Sequence, residues 1–80
     1  MKLLVFVTDD ANADTAIDAL VEQGFRVTRL ATTGGFLRRG NTTLLVGVED
    51  NQVDRALQLV KQAAPGTTAI TLDLERYERL

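Results

Sequence analysis

The apolar residues change rhythm along the chain, and each rhythm predicts an element. Lys2 to Thr8 carries Leu3, Leu4, Val5, Phe6 and Val7 in unbroken succession, a β-branched and aromatic run that predicts a buried strand. From Asn12, the predicted N-cap, apolar side chains fall at Ala13, Ala16, Ile17, Leu20 and Val21. That spacing of i, i+3, i+4, i+7 and i+8 is one face of a helix, which Gly24 ends in the C′ position. Phe25 to Thr32 and Thr42 to Val48 predict a second and a third strand. Asp50 or Asn51 then caps a second helix with Val53, Ala56, Leu57 and Val60 on its apolar face, stopped by Pro65-Gly66. Thr67 to Leu74 alternates as a last strand, and Glu75 to Leu80 forms a short helical turn or an arm. No repeat, linker or low-complexity stretch interrupts this order.

A βαββαβ order predicts the α+β, ferredoxin-like sandwich: one antiparallel sheet with two helices on a single face. Residues 1–80 are expected to form one domain, since 80 residues leave no room for a second. Both faces of the sheet are apolar. In the first strand Leu3, Val5 and Val7 point one way while Leu4 and Phe6 point the other, and Leu45 likewise opposes Leu44 and Val46. Two helices cover one face only. Each Leu- or Phe-sized side chain gains about 1.5–3 kcal/mol on burial. Several left in water would threaten a domain with a total stability of about 5–10 kcal/mol. The pattern therefore predicts a homo-oligomer in which the bare face packs against copies of itself.

Composition narrows the chemistry. The chain has no histidine and no cysteine, which removes the commonest general base, the commonest metal ligands and any disulfide. Serine is absent as well, and no threonine has a base to activate it, so the expectation is a protein that is not an enzyme. A formal charge of −2 argues against general nucleic-acid binding, the basic residues between Arg26 and Arg39 being a local exception. The N-terminal apolar run is too short for a signal peptide or a membrane span, which predicts a cytoplasmic protein without membrane contact. Asp9, Asp10 and Asp14 at the first helix, and Glu49, Asp50 and Asp54 at the second, read as charges favoured by the helix dipole, with no metal bound.

The run from Ala31 to Thr43 stands apart. It joins the second and third strands with Gly34-Gly35, Arg38-Arg39, Gly40 and four threonines, a combination suited to an anion. Adjacent glycines let backbone N–H groups turn inward, arginines add charge and threonines add hydroxyl donors. Phe36 and Leu37 sit mid-loop, where a solvated turn would be polar, so an apolar group such as a base or a neighbouring subunit is expected over them. Arg26, Thr28 and Leu30 share the strand face that points away from the helices. The loop is neither a Walker sequence nor a G-x-G-x-x-G turn.

Phe25-Arg26, the string Arg29-Leu30-Ala31-Thr32-Thr33-Gly34-Gly35-Phe36-Leu37-Arg38, Gly40-Asn41-Thr42-Thr43 and Gly47-Val48-Glu49-Asp50 together resemble the small PII-like receptors for the bacterial second messenger cyclic di-AMP. Gly66 to Leu72 resembles the last strand of that family. The resemblance implies a PII-like homotrimer that signals without catalysis and binds cyclic di-AMP in clefts between subunits through the loop from Thr32 to Asn41. It requires no cofactor and names no downstream protein partner. Arg26 and Thr28 would address phosphate and base, Gly34, Gly35, Phe36 and Leu37 would give backbone groups and an apolar cover, and Asn41 with Gly47 would complete the pocket. Two departures stand out. Lys61 to Gly66 replaces the family's long loop before the last strand, and Gly24 stands where the family has an asparagine. The alternative these leave is a trimeric interaction scaffold that has lost the ligand or binds another adenine nucleotide.

Overall fold

A computed structural model describes residues 1–30, 40–76, 78 and 80. The elements are β1 (Lys2–Asp9), α1 (Asp10–Glu22), β2 (Val27–Leu30), β3 (Asn41–Val48), a 3-10 turn (Asp50–Gln52), α2 (Val53–Ala63) and β4 (Thr68–Asp73). The strands form one sheet in the order β2-β3-β1-β4, every pair antiparallel. This is the ferredoxin-like arrangement that the element order predicts.

The core lies between the helices and one face of the sheet. Leu4 and Phe6 of β1 and Leu44, Val46 and Val48 of β3 are buried against Ala16 and Leu20 of α1 and Ala56 and Val60 of α2. Phe25, just ahead of β2, closes the same cluster. Val21, expected on the apolar face of α1, is 54% exposed, so the buried stripe is narrower and runs through Ala13, Ala16 and Leu20.

Both helix starts differ from the sequence expectation. Asn12 lies inside α1, which begins at Asp10 with Asp9 in the N-cap position. Tertiary contacts set that start: the Asp10 N–H donates to the Gly40 carbonyl at 2.7 Å, and the Thr42 hydroxyl donates to the Asp10 carboxylate. Neither Asp50 nor Asn51 caps α2. Both belong to the 3-10 turn, and Gln52 precedes the helix. The Asp50 carboxylate instead lies 3.0 Å from the Met1 ammonium. The end of α1 follows the sequence. Gly24 at φ +87° donates to Val21 O at 3.0 Å and Phe25 N–H donates to Leu20 O at 3.1 Å, the paired bonds of a Schellman stop.

Candidate functional site

Side-by-side partners in an antiparallel sheet share a face, so the register lays out the uncovered side row by row. One row is Thr28, Leu45, Val5 and Ile70, and the next is Leu30, Thr43, Val7 and Thr68. Another joins Gly47, Leu3 and Leu72, and one step back from the Val27–Val46 pair sets Arg26 beside Gly47. At the opposite end Asn41 pairs with Asp9. This face carries three of the exposed large apolar residues, Leu30 at 39% and Ile70 and Leu72 at 47% each. Leu3, Val5, Val7 and Leu45 are half-buried beside them.

The four described candidates, Arg26, Thr28, Asn41 and Gly47, all have the parity of this open face. They do not form one cluster. Asn41 and Gly47 lie six residues apart on β3, about 20 Å along an extended strand. Arg26 lies just ahead of the Val27–Val46 pair, toward the Gly47 end of β3, and Asn41 sits where the chain re-enters the sheet after Gly40. Gly47 needs no glycine conformation, and a Cβ there would meet nothing within 4 Å. The row between Arg26 and Leu3 is therefore open above the backbone. The candidates Gly34, Gly35, Phe36 and Leu37 lie outside the described residues. Arg29 belongs to the other face, where its guanidinium lies 2.9 Å from the Asp14 carboxylate on α1.

Two features escaped the sequence reading. Asp9 and Asn41 line a small cavity of about 120 Å³ together with Val7, Thr8 and residues 65–68. Thr43, 5% exposed on the open face, has a hydroxyl with no hydrogen-bond partner among the described residues. The signal for the first was the β1–β3 pairing, which brings the end of one strand to the start of the other and is not visible in local periodicity. Among the described residues no group of three or more His, Cys, Asp or Glu is placed to hold a metal ion, and no helix is long and apolar enough to cross a membrane.

Comparison with known proteins gives these positions a context. Among solved structures the chain is similar to a protein from Pediococcus pentosaceus ATCC 25745 described as functionally unknown, with 32% identity and a TM-score of 0.85 over 99% of this chain and 96% of that one. Residues 1–76 match the family model described as cyclic-di-AMP receptor, so every element above falls within the match. The chain belongs to the cyclic-di-AMP receptor family.

Proposed function

We propose that this protein is a signalling receptor that binds cyclic di-AMP as a homotrimer, in clefts where the open face of one copy meets the next. Family membership supports the ligand class. The observation that carries the composite site is the placement of Arg26 with Gly47 at one end of the open face and Asn41 at the other. One copy thus offers two half-sites about 20 Å apart. A second copy brings unlike half-sites together and adds the wall that a single sheet lacks.

The chemistry of each half fits part of the ligand. Arg26 is a charged donor for a phosphodiester, beside the uncluttered row at Gly47, and Thr28 adds a hydroxyl on the same face. The loop from Thr32 to Asn41 supplies glycine N–H groups and the apolar cover of Phe36 and Leu37. With no catalytic group to use, such a protein acts by what binding orders or displaces. The apolar face also supports assembly without any ligand, as the scaffold reading requires.

Titration calorimetry with cyclic di-AMP, cyclic di-GMP, ATP and ADP separates the two. The receptor reading predicts saturable heat with cyclic di-AMP, and Arg26→Ala weakening it by about 1.5–3 kcal/mol, the range for a hydrogen bond to a charged group. Assembly without heat from any of the four nucleotides leaves the scaffold.

A further inference from the structure

One buried polar atom on the open face has no partner. Thr43 is 5% exposed, and its hydroxyl makes no hydrogen bond among the described residues. Folded proteins seldom leave such an atom unpaired, because burial removes its water and supplies no bond instead. Valine has the same shape without the hydroxyl and suits a strand equally well. Nothing described within the subunit calls for the hydroxyl at this position.

The register shows what lies beside it. Thr43 stands in one row with Leu30 and Val7, while Asn41 and Leu45 are its neighbours along β3 on the same face. Thr28, which pairs with Leu45, is its diagonal neighbour on β2. Arg26, Thr28, Thr43 and Asn41 therefore step diagonally across the face at intervals of about 7 Å, past the apolar side chains of Leu30, Leu45, Val5 and Val7. Thr43 fills the gap between Thr28 and Asn41.

A second copy of the open face brings mostly hydrocarbon to Thr43, which leaves the hydroxyl as orphaned as before. A nucleotide brings ring nitrogens and phosphate oxygens that a hydroxyl meets as donor, and amino groups that it meets as acceptor. In the free subunit the hydroxyl is closed to water. A turn about χ1 to another staggered well exchanges it with the methyl group and changes the side of the Cβ atom on which it lies.

We propose that Thr43 is a ligand-binding residue, its hydroxyl turning about χ1 to hydrogen-bond the nucleotide that Asn41 holds. The assignment rests on the receptor reading and deepens it, by adding a neutral partner between the Asn41 amide and the Thr28 hydroxyl.

The test is calorimetric titration of wild type, Thr43→Val and Thr43→Ser with cyclic di-AMP, together with urea denaturation and light scattering of each protein without ligand. Thr43→Val is expected to keep the oligomer mass and an equal or higher urea midpoint, yet to bind roughly 5- to 30-fold more weakly, the scale of one hydrogen bond lost with its partner left unpaired. Thr43→Ser, which keeps the hydroxyl, restores most of the affinity. Thr43→Val that binds as wild type overturns the assignment and leaves the receptor intact. A lower urea midpoint or a smaller oligomer for Thr43→Val gives the hydroxyl a partner within the protein and likewise overturns it. Thr43→Ser that binds as poorly as Thr43→Val assigns the effect to shape and does the same. Wild type that gives no heat with cyclic di-AMP overturns the receptor reading and this assignment with it.

Discussion

Gly47 is the residue whose presence the fold explains least. It stands inside β3 in ordinary extended backbone, where glycine weakens a strand by about 0.5–1 kcal/mol relative to alanine. A Cβ there would meet nothing within 4 Å among the described residues, so packing inside the subunit does not require a glycine at this position. Gly47→Ala is expected to leave stability equal or slightly raised in urea denaturation while cyclic di-AMP affinity falls; a variant that binds as wild type removes Gly47 from the site. Gly24 is the opposite case. At φ +87° it closes α1, and Gly24→Ala should cost about 1–2 kcal/mol in the same measurement, although its Cβ would also meet empty space. At this scale the sequence was informative where a residue type answers a local need, as Gly24 does. It read Asp9 only as a charge at the start of a helix, because the pairing with Asn41 joins distant parts of the chain and leaves no local pattern.

All six long elements were legible because periodicity is a local property. The third strand and the stop of α1 fell within a residue of expectation, whereas both helix starts moved. The reason is physical: α1 begins where Gly40 and Thr42 hold Asp10, and Asp50 is taken up by the Met1 ammonium rather than by a cap. A second tie joins strands. Lys2 pairs with Asp73 directly across β1 and β4. Hydrogen bonding to Asp73, opposed by desolvation and helped by the Asp73 and Asp50 charges, raises the Lys2 pKa above its ordinary value. A raised folded-state pKa contributes stability that is complete below the ordinary lysine range and is lost as pH rises through the raised value. Across that alkaline window wild type is expected to lose slightly more stability than Asp73→Asn, by equilibrium denaturation at a series of pH values. Parallel curves would mean that the pair contributes nothing, as many exposed pairs do.

For the whole molecule, the helices cover one side of the sheet and no described element covers the other, in keeping with the opposed apolar sets in the first strand. The sequence reading put Arg26 and Thr28 on the side away from the helices; what it did not show is that Asn41 and Gly47 share that side yet lie at its two ends. Leu72 tests the link between that face and assembly. It is 47% exposed, so Leu72→Asp should cost a single copy little; a large drop in oligomer mass by light scattering therefore reports lost subunit contacts. A wild type that runs as one chain, with Leu72→Asp unchanged, would refute the assembly.

The division of the site between copies is tested most directly by mixing subunits of Arg26→Ala with subunits of Asn41→Ala, refolded together, and titrating cyclic di-AMP by calorimetry. Each variant alone is predicted to bind weakly, and the mixture to regain a fraction of wild-type-affinity sites, because some seams then join an intact Arg26 end to an intact Asn41 end. A mixture no better than its two parents would contradict a shared cleft and return the site to a single copy.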